Sequence, residues 1–247
     1  MTQENFASEL QAVLKLHNVE RLREEYWNND EFLYISDFLP DLLVSALQQE
    51  LPNLRQYTHR VRIPGVRKGG SVGATNVRTQ TSLIRTIYAS SAVMGLFSRI
   101  IDRDLSVCPP DDEHAMALYS YTEEGDFIHY HYDTSFYKGN RYTVLITLQN
   151  NSSCKLMYDL YRKSPGRTVQ HQEVNTSTGS MVVFNGNKLW HAVSPAKDGE
   201  ERHVLSLEYL DDQRIGLFGK LVSEVKDRIG YFGIRGKKNV AQTRLQS

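Results

Sequence analysis

Three residues of types that bind metal ions have a spacing that favours one shared ion. His131 and Asp133 are two positions apart, so on a β-strand their side chains point to the same face, about 6.6–6.8 Å apart along it. His191, from a distant part of the chain, would complete a set of two histidines and one carboxylate. Such a set binds Fe(II) from one side and leaves the other coordination positions open for a cosubstrate and O₂. These three residues are the predicted metal ligands.

A permanent cation follows His191 in the sequence. Arg202 is eleven residues further on, and a guanidinium can bind a carboxylate through two parallel hydrogen bonds. We therefore predict that Arg202 holds the far carboxylate of a cosubstrate whose other end binds the metal. No side chain is predicted to act as a catalytic acid, base or nucleophile.

Side-chain types alternate from Arg202 to Leu210 as they do in a strand with one face lining a pocket and the other packed against helices. The predicted inner face carries Arg202, Val204, Ser206 and Glu208, and the outer face carries His203, Leu205, Leu207 and Tyr209. Glu208 would then be an interior carboxylate, which is costly without a partner. Its expected partner is a substrate ammonium or the groups around the metal ligands, and the alternative is an ion pair at the mouth of the barrel.

His129 lies on the same predicted strand face as His131 and Asp133. Positions 129 and 133 are about 13 Å apart on an extended strand, too far to share one ion, so the metal-binding pair is 129/131 or 131/133. A His-x-His pair is usually followed by a nearby glutamate ligand, and Ser-Phe-Tyr at 135–137 offers none. We therefore place His129 in the pocket wall, where it would contact the substrate or support the ligands.

Short β-branched and aromatic runs, separated by Gly, Asn and Ser, surround these residues and indicate a β-rich barrel or jelly roll. The predicted strands are Met116–Tyr121, Arg141–Leu148, Gly179–Phe184, Leu189–Pro195 and Arg202–Leu210. The predicted fold class is mainly β with flanking helices around a double-stranded β-helix core of the jelly-roll or cupin type.

The stretch from Tyr119 to Leu210 resembles the double-stranded β-helix core of the Fe(II)- and 2-oxoglutarate-dependent dioxygenases, in the branch that includes prolyl 4-hydroxylases. The matching pieces are His131-Tyr-Asp133, Arg141–Leu148, Gly179–Phe184, Leu189-Trp-His191, and Arg202 with Ser206. The resemblance implies that His131, Asp133 and His191 bind Fe(II). It also implies that Arg202 binds the C5 carboxylate of 2-oxoglutarate, with Ser206 and Tyr119 as further candidate contacts. Many relatives carry Arg-x-Ser here, whereas this chain has Val204 at the third position.

The segment Asp126–Asp133 and the basic segment before it also resemble a bacterial subgroup that acts on free amino acids. That subgroup includes radical halogenases in which glycine replaces the aspartate ligand and so admits chloride. Because Asp133 is present, the resemblance implies hydroxylation, in which 2-oxoglutarate and O₂ are consumed and succinate and CO₂ are released. The expected substrate is a small molecule, a free amino acid.

Three other functions are weighed against this one. A hydroxylase of peptide or protein side chains is the main alternative, and a long open groove would distinguish it. A nucleic-acid demethylase of related fold is less favoured, because such enzymes usually carry a second arginine six residues after the cosubstrate arginine and position 208 is Glu. A non-catalytic jelly-roll protein is disfavoured by the intact ligand set and Arg202.

The neutral total charge conceals an uneven distribution. Residues 51–101 contain eight cations and no Asp or Glu, whereas residues 1–50 carry ten acids against three bases. Mutual attraction between these two segments is one explanation, and a positive rim that attracts an anionic substrate is the other. The segment Arg60–Gly73, with four glycines and a proline, suits a mobile loop over the site. The predicted substrate contacts are Arg67, Lys68, Glu113, His129 and Glu208.

Length and composition are consistent with one oxygenase domain over residues 1–247. Residues 1–113 are expected to form helical support and the substrate loop, 114–210 the β-helix core, and 211–247 a C-terminal helix and tail. Helical spacing predicts helices over 4–27, 39–50 and 90–103. No apolar run approaches 18 residues, the N-terminus has no signal-peptide pattern, and Cys108 and Cys154 are expected to be reduced thiols in a cytoplasmic protein. A homodimer is compatible with the sequence, whereas membrane and nucleic-acid partners are not expected.

Overall fold

The computed structural model describes residues 1–134 and 137–214. In these ranges the helices lie mostly in the first half of the chain. They are α1 (Gln3–Leu14), α2 (Val19–Asn28), α3 (Asp41–Gln48), α4 (Leu51–Arg55), α5 (Ala74–Gln80), α6 (Leu83–Ala89) and α7 (Ser91–Ile101). No helix among the described residues is long and apolar enough to cross a bilayer.

The strands occupy most of the second half of the chain. They are β1 (Phe32–Ile35), β2 (His59–Ile63), β3 (Arg67–Val72), β4 (Ser106–Val107), β5 (Met116–Tyr121), β6 (Phe127–His131), β7 (Arg141–Asn151), β8 (Leu156–Leu160), β9 (Gln170–Val174), β10 (Met181–Asn185), β11 (Trp190–Val193) and β12 (Glu201–Leu210). All five strands predicted from sequence are present, and no end differs from its prediction by more than three residues. The mainly β fold class is therefore confirmed.

Every described strand pair is antiparallel, and the order across the sheet is β1-β10-β7-β12-β5-β3-β6-β11-β8-β9, with β2 beside β3 and β4 beside β12. Leu145 of β7 and Leu156 of β8 lie far apart in this order, yet both line one cavity. The sheet therefore rolls on itself, as a jelly-roll core requires, and encloses that cavity.

Both faces of the central strands are buried, and side-chain alternation divides them between two cores. On β10, Met181 and Val183 pack into the core shared with the helices, whereas Val182 and Phe184 pack inside the roll. Helices α1, α2, α3, α6 and α7 contribute buried side chains to the first core. They close the outer face of the sheet and leave the inside of the roll for the site.

The N-terminal residues are helical as predicted, but they form two helices where one was expected. The run predicted over 4–27 is two helices, because the chain turns between Leu14 and Val19 and Asn18 accepts a hydrogen bond from Arg21 N at 3.0 Å, which caps α2. The C-terminal helix and tail predicted for 211–247 lie, apart from residues 211–214, outside the described residues.

The expectation of a mobile loop over Arg60–Gly73 is wrong. The segment forms the hairpin of β2 and β3, and β3 continues into pairs with both β5 and β6. A Cβ on Gly70 would lie 2.8 Å from Thr58 Cγ2 and 3.4 Å from Ser120 Cβ. The glycine here therefore serves close packing of strands rather than mobility.

The excess of positive charge in this hairpin is balanced by the turn between β5 and β6. The Arg60 guanidinium donates to both carboxylate oxygens of Asp126, at 3.0 and 2.7 Å, and Asp126 is fully buried. Lys68 lies 3.7 Å from both Asp126 and Glu123. The acidic N-terminal helices, which were one expected counterpart, are not the partners of these two cations.

Candidate metal centre and its two cavities

The two histidines of the predicted triad face each other across a strand pair. β6 and β11 are antiparallel neighbours, and His131 is the partner of His191 in their register. Asp133 follows two residues after His131, just beyond the end of β6, so all three side chains reach one point. Their candidate ligand atoms lie within 4.8 Å of one another.

The distances fit one ion bound on one face. His131 Nε2 lies 3.3 Å from Asp133 Oδ1, and His191 Nε2 lies 3.6 Å from Asp133 Oδ2. Ligand atoms about 2.1 Å from an ion and at right angles to one another would be about 3 Å apart. The three side chains need only a small inward movement to bind a metal.

Backbone carbonyls set which nitrogen each histidine offers. His131 Nδ1 is 2.8 Å from the carbonyl oxygen of His129, and His191 Nδ1 is 3.2 Å from that of Leu189. A carbonyl oxygen only accepts, so in both rings the proton is on Nδ1 and the Nε2 lone pair faces the ion. His129 therefore supports the site through its backbone.

The protonation states also suit metal binding. Burial lowers the pKa of His191 to about 4, so its ring is neutral near pH 7. Burial would raise the pKa of Asp133, but the neighbouring His191 and His131 rings and the Thr143 hydroxyl outweigh it and hold that pKa below its usual range. Burial would lower the pKa of His131, but the adjacent Asp133 carboxylate and the His129 carbonyl outweigh it and raise that pKa. An ion bound at His131 Nε2 would therefore displace a proton, whereas His191 and Asp133 are already in the forms that bind a metal.

The cavity inside the roll ends at a buried arginine. Arg202 is 1% exposed, and its guanidinium donates to Thr176 Oγ1 at 3.2 Å and lies over the Tyr121 ring at 5.3 Å. Within residues 1–134 and 137–214 no carboxylate pairs with it, and its buried Nε has no hydrogen-bond partner. Burial lowers the pKa of Arg202. A buried cation without a counter-ion requires an anionic ligand.

The inner face of β12 lines this cavity as the alternation predicted. Arg202, Val204, Ser206 and Glu208 all contribute, while Leu205, Leu207 and Tyr209 pack with the helices. The remaining lining residues are Tyr119, Tyr121, Ile128, His131, Asp133, Leu145, Leu156, His191 and Val193. The metal ligands form one end of the cavity and Arg202 the other. We refer to it as the inner cavity.

A second cavity shares five lining residues with the first: Tyr119, Ile128, His131, Asp133 and Glu208. Its other lining residues are Arg67, His114, Tyr132, Thr134 and Arg141. We refer to it as the outer cavity. The two cavities therefore meet at the metal ligands.

Arg67 is the outer cavity's counterpart of Arg202. Its guanidinium lies over the Tyr119 ring at 4.9 Å, and within the described residues no carboxylate pairs with it. Arg141, by contrast, donates to Asp112 Oδ2 at 2.5 Å, and that pair is nearly buried. The uncompensated charge of the outer cavity is therefore that of Arg67.

Glu208 points into the roll as predicted and lines the same cavity as the metal ligands. Its Oε1 accepts from Ser206 Oγ at 3.0 Å, and its Oε2 lies 2.9 Å from Thr143 Oγ1. Burial raises the pKa of Glu208 well above its ordinary value, although Arg141 acts against this. Because Thr143 also hydrogen-bonds Asp133, Glu208 lies among the groups around the metal ligands, one of the two functions expected from sequence. The expected contact to a substrate ammonium stays a prediction.

Three other predicted substrate residues are not brought to either cavity. Lys68 Nζ donates to the Glu124 carbonyl at 2.5 Å, which directs its charge to the β5–β6 turn. Glu113 accepts from Thr75 N at 3.3 Å and from the Thr75 hydroxyl, and so caps α5. The His129 side chain is exposed. The register of β6 against β11 shifts between Ile128 and His131, so the regular alternation that predicted an inward His129 does not hold there.

Sequence reasoning missed residues that only the tertiary arrangement brings to the site. Thr176 reaches Arg202 from the segment before β10, and Thr143 is the cross-strand partner of Glu208 on β7. No local motif marks any of these residues.

Comparison with known proteins assigns a family. A model of the family described as HalD, Halogenase D, matches residues 14–145, a span of more than half of the chain. That span includes His131 and Asp133 but ends before His191 and Arg202. Comparison with curated protein sequences gives no match.

Solved structures with a similar fold share less than a fifth of their residues with this chain. A prolyl hydroxylase from Trichoplax adhaerens, in complex with a hypoxia inducible factor oxygen degradation domain peptide, has 19% identity and a TM-score of 0.63 over 82% of this chain and 92% of its own. A prolyl-4-hydroxylase from Pseudomonas putida has 19% identity and a TM-score of 0.59 over 80% and 100%. The α-ketoglutarate-dependent carbocyclase SnoK from nogalamycin biosynthesis has 12% identity and a TM-score of 0.65 over 85% and 92%.

The jelly-roll fold is shared with solved α-ketoglutarate-dependent enzymes, and the described residues include a His-Asp-His set that could hold a metal ion. The chain belongs to the Halogenase D family.

Proposed function

We propose that this protein hydroxylates an unactivated C–H bond of a small molecule that carries a carboxylate, namely a free amino acid. The observation that carries the proposal is a pair of arginines, Arg202 and Arg67, that have no carboxylate partner among residues 1–134 and 137–214. They lie in two cavities that meet at the metal ligands. One arginine suits a cosubstrate with a carboxylate at its far end, and the other suits an anionic substrate.

Fe(II) and 2-oxoglutarate, once bound, would supply the O₂-dependent oxidative decarboxylation that drives C–H oxidation in 2-oxoglutarate-dependent oxygenases. His131, Asp133 and His191 would hold the metal, with the ring orientations fixed by the two backbone carbonyls. Arg202 would bind the C5 carboxylate through charge-assisted hydrogen bonds, with Thr176 and the Tyr121 ring keeping the guanidinium in place. Ser206 and Tyr119 line the same cavity and are proposed as its further contacts.

Substrate orientation would come from Arg67. Its guanidinium is steadied by the Tyr119 ring and opens into the cavity that also contains His131 and Asp133. A substrate carboxylate on Arg67 leaves the rest of the molecule to extend toward the metal, which selects the carbon that reacts. Two carboxyl groups line this cavity among the described residues, those of Asp133 and Glu208. Asp133 is a proposed metal ligand and Glu208 contacts Thr143, so neither is placed to pair with a cationic substrate side chain.

Asp133 favours hydroxylation over halogenation. The carboxylate would occupy a coordination position of the bound metal, and its Oδ2 accepts a hydrogen bond from Thr143 Oγ1 at 2.9 Å. A halide would need that position vacant. The proposal therefore predicts an oxygenated product even when chloride is abundant.

The test is a screen of succinate formation by the Fe(II)-loaded enzyme with 2-oxoglutarate, O₂ and each free amino acid, at low and high chloride. We expect at least one amino acid to stimulate succinate release and to gain the mass of one oxygen atom at both chloride concentrations. A chlorinated product would overturn the hydroxylase assignment. Stimulation by a peptide or protein, with none by any free amino acid, would favour the alternative of a side-chain hydroxylase.

A further inference from the structure

One hydroxyl group lies between two carboxyl groups beside the metal ligands. Thr143 Oγ1 is 2.9 Å from Asp133 Oδ2 and 2.9 Å from Glu208 Oε2. Thr143 is 1% exposed and Glu208 is 5% exposed, so bulk water does not satisfy either group. A hydroxyl carries one hydrogen and can donate to only one of the two oxygens.

The two contacts of the Thr143 hydroxyl are both favourable only if one of the carboxyl groups carries a proton. If both carboxyl groups were ionised, one contact would set two lone-pair oxygens 2.9 Å apart with no hydrogen between them. A proton on Glu208 Oε2 removes this conflict, because Glu208 then donates to Thr143 Oγ1 and Thr143 donates to Asp133 Oδ2. Ser206 Oγ donates to Oε1 at 3.0 Å, the oxygen that is left as an acceptor.

The surroundings of Glu208 agree with a neutral acid. Burial raises its pKa, and the Asp133 carboxylate acts in the same direction. Arg141 is the charged group that would favour an ionised Glu208, but its Nη2 donates to Asp112 Oδ2 at 2.5 Å. The Arg141 charge thus acts on both carboxyl groups, but among the described residues its side-chain hydrogen bond goes to Asp112.

We propose that Glu208 is a neutral carboxylic acid that positions the Asp133 carboxylate for the metal through the hydroxyl of Thr143. The chain of hydrogen bonds fixes the rotation of the Asp133 carboxyl group, since Oδ2 is held by Thr143 while Oδ1 stays beside His131 Nε2. Glu208 acts through another residue and is a positioning residue, with no contact to the reacting atoms required. The inference rests on the proposed metal site.

Cobalt(II) affinity, measured by calorimetry on the full-length protein, tests the hydrogen bonds from Glu208 through Thr143 to Asp133. Thr143→Val should weaken Co(II) binding about 10- to 100-fold, the range seen when a group that orients a metal ligand is lost, and should change the visible d–d bands. Thr143→Ser keeps the hydroxyl and should restore both. Thr147→Val is the matched control, because Thr147 lies on the same strand and is also 1% exposed, and it should bind Co(II) like the wild type.

The Glu208→Gln variant and infrared spectroscopy test whether Glu208 carries a proton. A glutamine amide can donate to Thr143 and accept from Ser206 as the neutral acid does, so Co(II) affinity should stay within about threefold of wild type, less than the loss expected when an orienting bond is broken. The wild-type minus Glu208→Gln infrared difference spectrum at pH 7 should show the C=O stretch of a protonated carboxylic acid.

Two results would overturn the inference. One is a Thr143→Val affinity equal to that of Thr147→Val, and the other is a difference spectrum with carboxylate bands only. The proton test needs no Thr143 variant, so it decides the matter even if Thr143→Val does not fold. Failure of the wild type to bind Co(II) would instead refute the proposed metal site, and this inference with it.

Discussion

The inner and outer cavities each contain an arginine stacked on a tyrosine, but the two arginines differ in how far they are buried. In each, an arginine lies over a tyrosine of β5: Arg202 over Tyr121, and Arg67 over Tyr119. Neither arginine has a carboxylate partner in the part of the chain that the structure describes. Arg202 is almost fully buried on the central strand β12, whereas Arg67 is half-buried on the β2–β3 hairpin. An enclosed arginine suits a ligand that is the same in every turnover, and a more open one suits the molecule that defines specificity.

This difference predicts unequal consequences of mutation, because the energy of a charge pair grows as solvent is excluded. Changes at the metal should abolish function, changes at Arg202 should be severe, and those at Arg67 should be moderate.

The largest effect is expected at the metal ligands. His131→Ala, Asp133→Ala or His191→Ala should each abolish stoichiometric Fe(II) binding, measured anaerobically, and all turnover, because two ligands cannot hold the ion in the required geometry. His129→Ala is the matched control and should retain binding, since its contribution is a backbone carbonyl. Retained activity in His191→Ala together with its loss in His129→Ala would show that the wrong histidine was chosen.

The next effect concerns the inner cavity. Loss of one partner of a buried charge pair costs on the order of 2–5 kcal/mol, so Arg202→Ala should weaken 2-oxoglutarate binding about 30-fold or more. Fe(II) affinity should be unchanged, because Arg202 is at the far end of the cavity. An unaltered 2-oxoglutarate affinity, measured by anaerobic calorimetry, would remove Arg202 from this role.

A smaller effect is expected in the outer cavity. Arg67→Ala should raise the KM for the amino-acid substrate about three- to thirtyfold, as expected for a partly solvated hydrogen bond to a charged group, with the 2-oxoglutarate KM unchanged. Lys68→Ala, its neighbour on β3, is the control and should leave the substrate KM near that of wild type. Equal effects of the two substitutions would mean that the cation acts through general charge rather than contact.

The smallest effect is expected from the tyrosine beneath Arg67. Tyr119→Leu removes a cation–π contact worth about 0.5–1 kcal/mol at a partly exposed site, so the substrate KM should rise about two- to fivefold. Because Tyr119 lines both cavities, the 2-oxoglutarate KM should be measured alongside. A change confined to 2-oxoglutarate would move Tyr119 from the outer cavity to the inner one.

The two regions also differ in how far the sequence predicts them. The inner cavity follows from alternation on β12 and from the spacing of His131 and Asp133, because both depend on local strand geometry. The outer cavity depends on the register of the β2–β3 hairpin against β5 and β6. Its glycines and cations suggested a loop, since nothing local shows that the glycines allow close packing of strands.

Misassigned and missed residues have one physical cause. Lys68 and Glu113 are charged residues near the site in sequence, but each has a closer partner, in the β5–β6 turn and at the start of α5. Thr143 and Thr176 are uncharged and carry no motif, and only strand order brings them to Glu208 and Arg202. Long-range pairing of this kind cannot be read from spacing along the chain.

The most direct test of the account is an anaerobic titration of 2-oxoglutarate into three Fe(II)-loaded proteins: the wild type, Arg202→Ala and Arg67→Ala. The account predicts that Arg202→Ala weakens binding about 30-fold or more, while Arg67→Ala binds 2-oxoglutarate like the wild type. Weaker 2-oxoglutarate binding in Arg67→Ala, with no change in Arg202→Ala, would contradict the assignment of the inner cavity to the cosubstrate and the outer cavity to the substrate.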